Sequence, residues 1–264
     1  MLSSLSTARR RFVLGVCAVG VVAVLVVAAV VVTKVVDTAD PVAQDEPGPV
    51  LLISGYGGGT TGLDVLARAL RDQGRSVTIV PSVGNGTVDL RTQAERLAEA
   101  ADAARDATGA ESVDVIGYSA GGVVARLWVR DFGGDSVARR VVTLASPHHG
   151  TDLAALAEAT VPGQCPVACK QLATDSAFLT ALNAGDETPD GPEFVSIWST
   201  SDTVVTPADS ARLDGALDFT VQSICGANEV SHGQMPSSPA VLGSVPLLLG
   251  PTPPTLPTAK VCAA

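Results

Sequence analysis

The pentapeptide Gly117-Tyr118-Ser119-Ala120-Gly121 sets one serine between glycines, where the strand-like stretch "SVDVIGY" gives way to the helical "AGGVVARLW". G-x-S-x-G between a strand and a helix predicts a nucleophile elbow, a sharp turn that lifts the serine hydroxyl to the C-terminal edge of a sheet. Small residues at 117 and 121 let the backbone pass closely there. A serine hydroxyl is a weak nucleophile; it needs a base, and the base needs a carboxylate to orient it. The chain has three histidines. His148 and His149 precede any suitable acid, whereas His232, in "NEVSHGQMP", follows the last predicted strand and completes the chain order serine, acid, histidine. The acid of choice is Asp202, in "IWSTSDTVVTP", where a preceding strand should end. Its rivals are Asp190 before that strand, Asp209 at a helix start, Asp214 in a turn and Asp218 inside the next strand. An oxyanion at the attacked carbonyl needs two N–H donors. Ala120, just after the serine, supplies one, and Tyr56, in the glycine-rich loop "SGYGGGTTG", is expected to supply the other.

These residues must be carried by alternating strands and helices. Apolar runs at 49–55, 76–82, 112–119, 137–147, 193–202 and 216–225 read as strands, and 62–74, 89–109, 120–134 and 239–249 as helices. Such alternation predicts a mostly parallel sheet of about six strands with helices on both faces. The near-continuous Val/Ile/Leu content of the strands fits burial on both sides. The pattern breaks over residues 151–192, too long for a simple connection, and this stretch is read as a short insertion near the functional edge. Its apolar pieces, "DLAALAEATV" and "SAFLTALNA", are read mainly as faces packed on the core, with a lid as the competing reading. The glycine-rich loop lacks both G-x-G-x-x-G and a Walker lysine, which argues against phosphate binding.

At 46% hydrophobic content, 264 residues suffice for one large domain with a sizeable core. A net charge of −10 argues against nucleic acid as a partner. Arg9, Arg10 and Arg11 precede a charge-free run from Phe12 to Val32, about the length that crosses a bilayer as a helix. Its basic flank predicts that everything beyond Lys34 lies outside the cytoplasm. Asp37, at the −3 position of a possible cleavage after Ala39, makes a poor signal site, favouring an uncleaved anchor over a removed signal. The expected organisation is therefore 1–39 as basic flank and anchor or signal, 40–48 as linker, 49–250 as catalytic domain and 251–264 as proline-rich tail. Four cysteines, Cys165, Cys169, Cys225 and Cys262, follow the apolar run. In an oxidising compartment they suggest two disulfides, with three possible connectivities; one closes a small loop at 165–169 and pins the tail through Cys262. Their spacing fits no common zinc pattern.

With Ser119, Asp202 and His232 in that order, the chain resembles the α/β-hydrolase lipases of bacteria, most closely the small secreted class 2 lipases of actinomycetes. The stretches carrying the resemblance are "LLISGYGGG", "VDVIGYSAGGVVAR", "VTLASPHHGTDLA", "SIWSTSDTVVTP" and "VSHGQMP", spread over about residues 49–250. The resemblance implies hydrolysis of carboxylic esters through an acyl-serine at Ser119, with His232 relaying the proton and oxyanion donors at Tyr56 and Ala120. It implies a lipid or small-ester substrate, with no metal, cofactor or obligate protein partner. Ser54-Gly55 stands where many members carry His-Gly, so side-chain bonding in that loop must differ. His148-His149-Gly150 is read as structural. Two competing readings remain: another acyl hydrolase or transferase (a polyester depolymerase, a thioesterase or an acyltransferase to cell-wall lipids), and a non-catalytic surface binding protein on the same fold.

Overall fold

The computed structural model describes Gly20, residues 42–226 and residues 229–263. The chain separates into two units, Met1–Ala39 and Asp40–Ala264. The apolar run 12–32, Gly20 apart, lies outside the described residues, and so does its reading as an anchor or signal. Among the described residues no helix is long and apolar enough to cross a membrane.

In the second unit six strands form one sheet: β1 (Val50–Ile53), β2 (Val77–Val80), β3 (Val113–Tyr118), β4 (Ala138–Leu144), β5 (Glu193–Trp198) and β6 (Leu217–Thr220). Their order is β2-β1-β3-β4-β5-β6, and every pairing is parallel. The helices are α1 (Thr61–Asp72), α2 (Leu90–Thr108), α3 (Ala120–Asp131), α4 (Asp152–Thr160), α5 (Val167–Gln171), α6 (Ala177–Leu182), α7 (Val221–Cys225) and α8 (Pro239–Leu248).

The strand side chains alternate between two cores. Val50, Leu52, Ile116 and Val142 meet Leu66 and Leu70 of α1 and Val241 and Val245 of α8 on one face. Leu51, Ile53, Val115 and Val141 meet Leu97 of α2 and Val123 and Trp128 of α3 on the other. Burial on both faces is why these strands are aliphatic at consecutive positions rather than every second one.

The predicted strand 216–225 is corrected. Only Leu217–Thr220 pairs with β5, and Val221–Cys225 is helical, because the Thr220 hydroxyl accepts the Ser223 N–H (3.0 Å) and caps a helix there. The two disulfides join Cys165 to Cys169 and Cys225 to Cys262. The second brings the tail onto α8, where Val261 is buried.

A buried charge cluster closes the N-terminal end of the sheet. Arg139 donates to both oxygens of Asp114 (2.9 and 2.7 Å) and to the carbonyls of Gln44, Leu249 and Gly250. Arg75 adds a bond to Asp114 (2.5 Å) and one to the carbonyl of Gly48 (2.7 Å). One carboxylate thus joins β3 and β4, while its arginines hold the segments entering and leaving the domain. No sequence signal marked this cluster.

Candidate active site

Ser119 occupies the single residue between β3 and α3, with φ 54° and ψ −127°. This positive φ is strained for a residue with a Cβ, and the surrounding packing enforces it. A Cβ on Gly117 would lie 2.5 Å from the Gly121 carbonyl oxygen, and one on Gly121 would lie 2.4 Å from the Ile53 oxygen. Only glycines allow the turn to be this tight. The Ser119 N–H donates to Leu144 O (2.8 Å), tying the turn to β4.

The structure brings the three residues of the predicted triad together. Ser119 Oγ lies 3.0 Å from His232 Nε2, and His232 Nδ1 lies 2.7 Å from Asp202 Oδ2. Asp202 sits just past β5; its Oδ1 accepts the N–H groups of Val204 (2.8 Å) and Val205 (3.0 Å), which fixes the plane of the carboxylate. His232 opens the 3₁₀ turn His232–Ser237, whose start is held by a capping box between Ser231 and Gln234. Behind it, Ser199 Oγ donates to Val230 O (2.6 Å). Both His232 and Asp202 are buried.

Tyr118 is a residue that sequence reasoning passed over. Its hydroxyl donates to the His232 carbonyl (3.1 Å), and its ring lies tilted against the imidazole at 5.2 Å between centroids. Burial, and secondarily the nearby Asp202 charge, push its pKa up to about 12, so it remains a neutral donor. The position within G-x-S-x-G was visible; the long-range contact was not.

Of the two expected oxyanion donors, Ala120 contributes the first N–H of α3, which has no partner within its own helix. Tyr56 lies beside Ser119 on the same cavity, and a Cβ on Gly55 would come within 2.8 Å of Ser119 Cβ, so this loop abuts the nucleophile. Where many resembling chains carry histidine, Ser54 shares a hydrogen bond with Ser82 (2.9 Å). The rival acids are placed elsewhere. Asp218, for instance, accepts from Trp198 Nε1 (3.1 Å). His148 is fully buried against Thr143 Oγ1 (3.1 Å), and burial drives its pKa well down. His149 pairs with Glu187 (2.9 Å), and that bond raises its pKa.

Ser119 opens onto an apolar cavity of about 240 Å³. Its lining includes Pro147, Thr151, Val204 and Val205, with Leu153, Ala154 and Ala157 of α4 and Gln164, Cys169 and Leu172 beyond them. The insertion therefore forms one side of the site. Core packing describes α6, where Leu179 and Leu182 are buried, more than α4, which fully buries no residue and packs on the core only through half-buried Ala154. The helix is rich in alanine, which gains little from burial, and its Leu153 and Leu156 are 53% and 60% exposed. Among the described residues no group of three or more His, Cys, Asp or Glu side chains is placed to hold a metal ion.

A parallel sheet wrapped on both faces by helices, with a serine on a strand–turn–helix elbow, defines an α/β-hydrolase. The family model "Lipase (class 2)" matches residues 95–239, more than half of the chain. The chain belongs to the class 2 lipase family. Among solved structures, Aspergillus fumigatus lipase B is similar at 20% identity and a TM-score of 0.70, covering 84% of this chain and 58% of that one. The mature form of the Bacillus licheniformis lipase BlEst2 is similar at 18% identity and a TM-score of 0.61, covering 80% and 95%. Its propeptide form is similar at 18% identity and a TM-score of 0.63, covering 84% and 54%. The chain thus spans little more than half the length of the Aspergillus protein and of the propeptide form, and at these identities the likeness is one of fold. No curated protein matches the sequence.

Proposed function

We propose that the protein hydrolyses carboxylic esters of lipids through an acyl intermediate on Ser119. The observation that carries this reading is the unbroken hydrogen-bond chain Asp202–His232–Ser119 at the mouth of an apolar cavity. His232 Nδ1–H donates to Asp202, which leaves Nε2 free to accept the Ser119 proton as Oγ attacks the ester carbonyl. The N–H groups of Tyr56 and Ala120 receive the oxyanion. His232 then returns the proton to the leaving alcohol. A water, deprotonated in turn by His232, attacks the acyl-serine, releasing the acid and restoring the hydroxyl. No step uses a metal or cofactor.

The acyl chain enters the cavity along α4. The cavity's lining is almost wholly apolar, as an acyl chain requires. Two disulfides and the basic-then-apolar segment 9–32 support an extracytoplasmic location, with the segment acting as an anchor or as a signal that is removed. The test is hydrolysis of p-nitrophenyl esters from acetate to palmitate, and of emulsified triglyceride, by the full chain beside Ser119→Ala. Ser119-dependent turnover is expected. No turnover of any ester would refute the reading.

A further inference from the structure

The helix α4 forms a wall of the acyl cavity through Leu153, Ala154 and Ala157, yet it buries no residue of its own. Its body packs on the core only through half-buried Ala154, so much of its position is set at its two ends. At the N-terminal end the Thr151 hydroxyl donates to Val204 O (2.6 Å), its N–H donates to Leu172 O (2.9 Å), and Asp152 N–H donates to Thr206 O (2.8 Å). At the C-terminal end the chain passes through the exposed 3₁₀ turn Pro162–Gln164 to Cys165, which is bonded to Cys169.

Cys169 belongs to a well-anchored piece. In α5, Ala168 is fully buried and its N–H donates to Thr87 O (3.3 Å). Gln171 bridges α5 to the start of α2, accepting the Leu90 N–H (2.8 Å) and donating to Asp89 (2.7 Å). The disulfide carries that anchoring across to the turn and so to the free end of α4. Cys169 also lines the cavity itself.

We infer that the Cys165–Cys169 disulfide is a specificity-determining element, which holds α4 as a fixed wall and thereby sets the longest acyl chain that the site accepts. The inference rests on the ester-hydrolase reading and deepens it. Without the tether, the C-terminal end of α4 is joined to the anchored α5 only through the exposed turn Pro162–Gln164 and the short stretch to Val167, and the wall yields to a longer chain. Chemistry at Ser119, which is carried by the β3–α3 turn, does not depend on it.

The test uses Cys165→Ala in the full chain, which removes the tether and leaves Cys169 in the lining. A Cys165→Val/Cys169→Val double variant removes the tether by a second route and keeps apolar bulk. The readout is kcat/KM for p-nitrophenyl esters of increasing length. In the wild type each methylene beyond the accepted length should lower kcat/KM by about tenfold. In both variants that fall should move to longer chains, so that the ratio of long-chain to butyrate kcat/KM rises about tenfold or more. Cys225→Ser/Cys262→Ser, which opens the distal disulfide, should leave the profile where it was. An unchanged profile in folded variants lacking the 165–169 bond, or an equal fall at every chain length, overturns the inference. Failure of the wild type to hydrolyse any ester would instead overturn the reading of function beneath it.

Discussion

Replacing Asp202 by asparagine changes one atom and should remove most of the activity. Asp202 Oδ1 accepts two backbone N–H groups, from Val204 and Val205, while Oδ2 faces His232 Nδ1. In the Asp202→Asn variant the amide oxygen must stay on the side of those two N–H groups, because turning the amide over would set its NH₂ against both donors. The NH₂ is thereby directed at His232 Nδ1, which then has to be the acceptor. The proton moves to Nε2, and a protonated Nε2 cannot take the proton of Ser119 Oγ 3.0 Å away. The wrong tautomer in a serine triad costs about 10⁴ in kcat, which at about 1.4 kcal/mol per decade is about 5.5 kcal/mol of transition-state stabilisation. Fold and substrate binding should be spared, since the backbone contacts persist. The assay is kcat and KM on a butyrate ester, with thermal unfolding as a check. A folded variant within tenfold of the wild-type kcat would refute this use of Asp202.

Tyr118→Phe keeps the ring against His232 and removes the bond to its carbonyl, so kcat should fall roughly two- to tenfold, in line with one hydrogen bond. The same variant tests a titration. The Tyr118 pKa is raised to about 12, so its contribution is complete below the unfolded-state value near 10 and lost as pH climbs through 12. Wild-type stability should drop more steeply than the variant's over that window, measured as Tm against pH. Raised mainly by its bond to Glu187, His149 contributes stability that is whole below its ordinary value of 6.5 and lost as pH rises through its folded value. His149→Ala should flatten the dependence of Tm on pH around neutrality, and an unchanged slope would remove the pair from the account of stability. Asp114→Ala leaves buried Arg139 with carbonyl partners alone and should cost about 3 kcal/mol in urea unfolding, the low end for a broken buried pair.

Much of this was legible in the sequence because the responsible forces are local. Strands buried on both faces must be apolar at consecutive positions, so β1, β3, β4 and β5 stood out. The elbow needs glycine at 117 and 121 for reasons of contact distance, and with three histidines the choice of base was short. The region 216–225 misled because Phe219, Thr220 and Val221 favour a strand, whereas the Thr220 cap turns the chain into α7. For α4 the apolar composition suggested burial, but alanine-rich helices gain little by it, and α4 lies on the surface as a cavity wall. The Asp114–Arg139–Arg75 cluster and the Tyr118–His232 contact join residues 25 to 114 positions apart, and no local pattern announces either.

The central claim is that Ser119 carries the acyl group. It is tested most directly by treating the full chain with an alkyl fluorophosphonate and mapping the adduct by mass spectrometry while following ester hydrolysis. A single adduct on Ser119, with activity lost in proportion to labelling and no adduct in Ser119→Ala, is the expected result. Hydrolysis that persists in fully labelled protein, or an adduct on another residue that accounts for the loss, would contradict it.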